Sequence, residues 1–147
     1  MSWTGRCRCG HISWSIADEP NWQCYCHCDD CRRNCSAPVV AWIGADLDGF
    51  NWTTEEPKVW ESSPGTYRHF CGLCGTPMAF IAEHYSDEIA LYAASLDSPE
   101  LFKPSFHLNV QSQLSWLNIH DNLERYSNTL LNNKNQLKKL GNKKGGY

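Results

Sequence analysis

The chain has 147 residues, enough for one hydrophobic core, and its net charge of -3 divides unevenly. All sixteen acids and eight of the thirteen Lys and Arg lie in residues 1–126, whereas the last 21 residues carry five lysines and no acid. An acidic body excludes a general nucleic-acid-binding surface, and no apolar run is long enough to cross a bilayer. The expected organisation is one domain over residues 1–126 with a solvated Asn/Lys-rich tail over 127–147.

The first element signal is Ile12, Trp14 and Ile16 alternating with serines, a half-buried strand closed by Asp18-Glu19-Pro20-Asn21. Pro38–Ile43 is expected as a second strand. Thr66–Phe70 follows, leading into Cys71, and then Met78–Ala82 and Ile89–Ala93, joined by a hairpin at Tyr85-Ser86-Asp87. Helical readings are confined to a turn after Cys28, a short piece near Pro99–Phe102, and Leu117–Tyr126. The fold class is therefore mainly β, with few short helices. Trp42, Phe50, Trp52 and Trp60 read as core aromatics rather than as a ligand groove. In the tail, Leu130, Leu137 and Leu140 are spaced for a short helix that could pair with a second copy to form a homodimer.

Nine cysteines dominate the chemistry, and seven fall into three groups: Cys7-x-Cys9, Cys26-x-Cys28-x-x-Cys31 and Cys71-x-x-Cys74. Such spacing lets neighbouring sulfurs turn toward one ion. A chain with seven Trp, six Tyr and five Phe to bury has no need of a disulfide scaffold, so a reducing, cytoplasmic setting is expected. Cys7-Arg8-Cys9-Gly10 and Cys71-Gly72-Leu73-Cys74-Gly75 resemble zinc knuckles, each with a glycine beside its last thiolate, where the chain must turn and direct amides at sulfur. Together they supply four ligands for a structural zinc, whose loss should be a folding defect.

Cys26, Cys28 and Cys31 form a different kind of set. Three thiolates leave one zinc position open, where a substrate thiol could bind and ionise. Arg32 and Arg33 are suited to hold a substrate carboxylate beside it. His27 faces away from the sulfurs if the segment is extended. Cys24 or Cys35 could close the site as a fourth ligand, and a disulfide involving either would give a redox reading. Neither a His-Glu-x-x-His helix nor a His-x-Glu motif with a later Pro-Cys-x-x-Cys is present, which argues against a zinc hydrolase or a deaminase. His107, Trp116 and His120 become functional only if the final segment folds over the central cysteines.

These motifs, in this order, resemble those of the glutathione-dependent formaldehyde-activating family, which includes the centromere protein V relatives and has the Mss4-like fold. Gly5-x-Cys7-x-Cys9-Gly10 is similar to its opening motif, Cys26-His27-Cys28-x-x-Cys31-Arg32 to its central one, and Phe70-Cys71-x-x-Cys74-Gly75-Thr76 to its third. Pro104-x-x-His107, Trp116 and Asp121-x-Leu123 resemble its closing segment. The resemblance implies small antiparallel sheets around a structural zinc held by Cys7, Cys9, Cys71 and Cys74. It also implies a catalytic zinc on Cys26, Cys28 and Cys31. The implied activity is a carbon-sulfur lyase of the S-(hydroxymethyl)glutathione synthase type, with glutathione and formaldehyde as partners. His27 and His69 are candidates to protonate the adduct oxygen. One departure stands beside the central motif: Asn34-Cys35-Ser36-Ala37-Pro38 replaces a Thr-Gly-Ala-Pro-like run. A non-catalytic zinc-binding interaction module is the alternative reading.

Overall fold

A computed structural model describes residues 2–85 and 87–128. The expectation placed on Leu130, Leu137 and Leu140 lies outside them, as does Ser86. Among the described residues the strands are, in chain order, β1 (Trp3–Arg6), β2 (Ser13–Ile16), β3 (Trp22–Cys26), β4 (Val40–Asp46), β5 (Phe50–Trp52), β6 (Lys58–Ser63), β7 (Thr66–Phe70), β8 (Pro77–Ala82), β9 (Glu88–Tyr92), β10 (Phe106–Leu108) and β11 (Glu124–Arg125). One α-helix, α1 (Asp29–Cys35), is joined by short 3-10 turns. The mainly β expectation is met.

The chain divides into two units that interleave in sequence. Among the described residues the first comprises residues 2–20 and Ile43–Phe102. In it β1, β2 and β5 form an antiparallel sheet, and β6 to β9 form an antiparallel ladder in chain order. The serine alternation read in the sequence puts Trp14 and Ile16 inward from β2, and Trp14 is fully enclosed. Its indole N–H, which needs a partner once buried, donates to Ser95 Oγ at 3.1 Å. Opposite Trp14 in the register stands Gly5, whose missing side chain makes room for the ring.

Among the described residues the second unit comprises Asn21–Trp42 and residues 103–128. Here β10 lies between β3 and β11, parallel to both. Trp22, Cys24 and Cys26 point inward from β3, giving the alternation of a strand with one buried face. Helix α1 leaves β3 directly. Its two acids in the first turn and two arginines in the last suit the helix dipole, and it ends at Ser36, which adopts a left-handed φ of 53° two residues before Pro38.

Two sequence expectations are corrected. Leu117–Tyr126 is not helical: the Leu123 amide donates to Asp121 Oδ1 at 3.0 Å, a local turn that competes with helix, and Glu124–Arg125 pairs with β10 instead. Trp60 is not core: it stands 57% exposed on β6, the outermost strand of its ladder, whereas Trp42 is buried and Phe50 packs edge-on against Trp52 at 4.8 Å.

Candidate metal centres

In the first unit, the sulfurs of Cys7, Cys9, Cys71 and Cys74 all lie within 4.8 Å of one another. The two knuckles have the same construction. Gly10 N donates to Cys7 O at 3.1 Å and Gly75 N to Cys71 O at 2.9 Å, and the two glycines take φ of 80° and 76°, a region costly to residues bearing a Cβ. Each knuckle is closed by a bond that spans five residues, Cys7 N to Ile12 O and Cys71 N to Thr76 O, both 2.9 Å. Amides also reach the sulfurs, Ile12 N to Cys7 Sγ at 3.3 Å and Cys74 N to Cys71 Sγ at 3.5 Å. Hydrogen bonds from the Thr76 hydroxyl and amide hold the Cys74 thiol down to about 5. This set could hold a metal ion, and its donor chemistry is that of a closed thiolate site.

In the second unit, Cys26, Cys28 and Cys31 likewise lie within 4.8 Å of one another. Cys26 ends β3. Cys28 caps α1, its sulfur accepting from Cys31 N at 3.2 Å, so one helical turn brings Cys31 back to it. Crowding by Cys26 and then Cys28, with burial, drives the Cys31 thiol upward, and the Cys28 sulfur is the first cause of Cys26 rising to about 11. Three thiols so placed ionise together only beside a cation, and that electrostatics fits a soft divalent metal.

The remaining cysteines stay outside this set. Cys24 is fully buried in β3, and burial, followed by Cys26 and Cys28, raises its thiol well above the ordinary range. Cys35 donates to Cys31 O at 3.2 Å, a bond within its own helix. No disulfide links any of the nine cysteines, all of which are among the described residues.

Arg32 is committed to the scaffold. Its Nε donates to His27 O at 3.2 Å, and a terminal nitrogen reaches Ser112 O and Asp29 Oδ1, both at 3.4 Å. Arg33 pairs with both Asp29 oxygens at 3.0 Å and is exposed. His27 is enclosed; its amide donates to Leu108 O at 3.0 Å, and its Nε2 lies 2.8 Å from His107 Nδ1. Of the closing-segment residues, His107 is brought into this neighbourhood, whereas Trp116 and His120 are exposed. His69 belongs to β7 of the first unit, where burial lowers its pKa.

One residue close to the sulfurs escapes sequence reasoning. Asn109, buried with a φ of 55°, donates its side-chain N–H to Cys26 Sγ at 3.4 Å. The signal available was weak: asparagine is among the few non-glycine residues that tolerate a left-handed turn, and it follows a short apolar strand.

With both centres defined, comparison with known proteins decides the family. The profile described as glutathione-dependent formaldehyde-activating enzyme matches residues 2–112, which contain all seven clustered cysteines. The chain belongs to this family. A Schizosaccharomyces pombe protein named as an uncharacterized lyase is 35% identical over 77 residues. That match spans 52% of this chain and 55% of the relative, about half of each. A crystal structure of a Rhodobacter sphaeroides protein shares the fold, with a TM-score of 0.55 and 19% identity over 65% of this chain and 88% of the other. Among the described residues no helix is long and apolar enough to cross a membrane.

Proposed function

We propose that the protein is a zinc-dependent carbon-sulfur lyase that joins glutathione and formaldehyde as S-(hydroxymethyl)glutathione, or forms a related thiol-aldehyde adduct. The supporting observation is the three-cysteine centre: Cys26, Cys28 and Cys31 converge with no fourth described cysteine in the cluster, in a member of the formaldehyde-activating family. Zinc bound there would supply a Lewis acid that lowers the pKa of an incoming thiol.

The chain's own residues prepare that position. Asn109 N–H and Cys31 N–H offset negative charge on Cys26 and Cys28, a charge that would otherwise be costly away from water. Arg32 pins the carbonyl between those two cysteines and so fixes their spacing rather than standing ready for a substrate carboxylate. Arg33, exposed and paired with Asp29, is the better placed of the two to meet a glutathione carboxylate. Cys7, Cys9, Cys71 and Cys74 would hold a second, structural zinc.

The test is a metal count on reduced, purified protein, combined with glutathione titration of a cobalt-substituted sample and a formaldehyde-glutathione adduct assay. Two metals, a thiolate absorption band that responds to glutathione, and accelerated adduct formation are expected. One metal, no response to glutathione and no acceleration would replace this reading with a non-catalytic zinc module.

A further inference from the structure

A single hydrogen-bonded line runs through the second unit from His27, the residue between Cys26 and Cys28. His27 Nε2 meets His107 Nδ1 at 2.8 Å, and His107 Nε2 meets Asp121 Oδ2 at 2.9 Å. The two rings are tilted by only 22° with centroids 5.1 Å apart, the separation of an in-plane N–H···N bridge rather than a face-to-face stack. The other Asp121 oxygen accepts from the Leu123 amide at 3.0 Å and is ion-paired with Arg125 at 3.1 Å. At the far end, His27 Nδ1 is buried and meets no hydrogen-bond partner.

The direction of this line is set at its Asp121 end. A carboxylate only accepts, so His107 Nε2 carries hydrogen; when the ring holds that one N–H, its Nδ1 accepts from His27 Nε2–H. That leaves a bare lone pair on His27 Nδ1. Running the line backwards would set a lone pair of His107 against the carboxylate. The carboxylate thus selects the tautomers of both rings.

We propose that Asp121, acting through His107, is a positioning residue for the three-cysteine centre, holding His27 as its Nε2–H tautomer and tethering the residue between Cys26 and Cys28. The tether is the third on His27, beside the Leu108 carbonyl on its amide and Arg32 on its carbonyl. His27 consequently has no hydrogen on Nδ1 to give to an adduct oxygen, and the expectation that it protonates the product is replaced by a hydrogen-bonding role. The inference rests on the proposed function only in treating this centre as the reactive one.

Asp121→Asn tests the polarity. The Leu123 and Arg125 donors hold the asparagine carbonyl oxygen at the Oδ1 position, so its NH2 faces His107 Nε2. A donor then stands where an acceptor stood, and both rings must switch to Nδ1–H. Long-range 1H–15N NMR on 15N-histidine-labelled, zinc-loaded full-length protein reads the tautomers directly. We expect Nε2–H on both rings in the unaltered protein and Nδ1–H on both in the variant. Zinc affinity of the three-cysteine centre, measured by chelator competition, should fall roughly 10- to 100-fold while the four-cysteine site keeps its metal. A hydrogen on Nδ1 of His27 in the unaltered protein overturns the proposal, even if the variant does not fold. So does a variant with unchanged tautomers or unchanged zinc affinity. None of these readouts needs substrate, so failure of the lyase reading in the adduct assay is separately visible.

Discussion

Gly5→Ala should destabilise the first unit by about 3 kcal/mol, without touching either metal centre's ligands. A Cβ on Gly5 would stand 2.4 Å and 2.5 Å from two ring carbons of Trp14 and 2.6 Å from the carbonyl oxygen of Ser95. Carbon contacts are comfortable at about 3.5–4.0 Å, so the ring must shift by roughly 1 Å and the backbone on the other side cannot yield easily. Overpacking of this kind costs about 1–3 kcal/mol. Moving the enclosed indole also strains its hydrogen bond to Ser95 Oγ, which adds about 1 kcal/mol. The assay is urea unfolding of zinc-loaded protein, with an unchanged slope and a lower midpoint. A folding constant reduced roughly a hundredfold follows from that energy. In a Trp14→Leu background the same glycine change should cost distinctly less, because the ring it strikes is gone. A Gly5→Ala variant within about 0.5 kcal/mol of the parent, or strictly additive changes in the double variant, would refute the packing argument.

Cys71→Ser should remove one metal equivalent and cost several kcal/mol of stability, whereas Cys28→Ser should remove one equivalent and the adduct activity with most of the fold intact; metal analysis with circular dichroism separates the two. Asn109→Asp keeps shape and left-handed tolerance but turns an acceptor toward Cys26, so zinc affinity of that centre should fall roughly tenfold and the cobalt-thiolate band should shift. Burial, then His107, depresses the His27 pKa to about 4, so the unfolded chain binds more protons than the folded one between about pH 6.5 and 4. Stability should therefore fall as pH drops through that window, by roughly 3 kcal/mol in all. Urea midpoints against pH for the parent and His27→Gln should show the slope flattened in the variant.

The cysteine clusters were legible because short-range spacing alone constrains where their sulfurs go, and the glycines after Cys9 and Cys74 marked the sharp turns found there. The strands Thr66–Phe70 and Pro77–Ala82 were legible for a similar reason, since each shows its pattern within five or six residues. What escaped was long-range. The β3–β10 pairing joins residues about eighty apart, and nothing local in Phe106–Leu108 announces a parallel partner. The helical reading of Leu117–Tyr126 failed because a side-chain turn at Asp121 and pairing of Glu124–Arg125 outweighed propensity. Arg32 looked available because its sequence neighbours are polar; its acceptors include a carbonyl eighty residues away. The His27–His107–Asp121 line depends wholly on such distant placement.

The separation of these partners along the chain also orders events as the protein is made. Cys26, Cys28 and Cys31 sit within six residues and can close on a cation in a nascent chain. Cys9 and Cys71 are 62 residues apart, and closing that loop costs about 4 kcal/mol beyond a constant. His107, Asn109 and Asp121 emerge from the ribosome later still. The three-cysteine segment is thus able to capture a metal before the groups that govern its surroundings exist, and capture by the unfolded chain cancels part of the stabilisation that the same metal gives the finished fold.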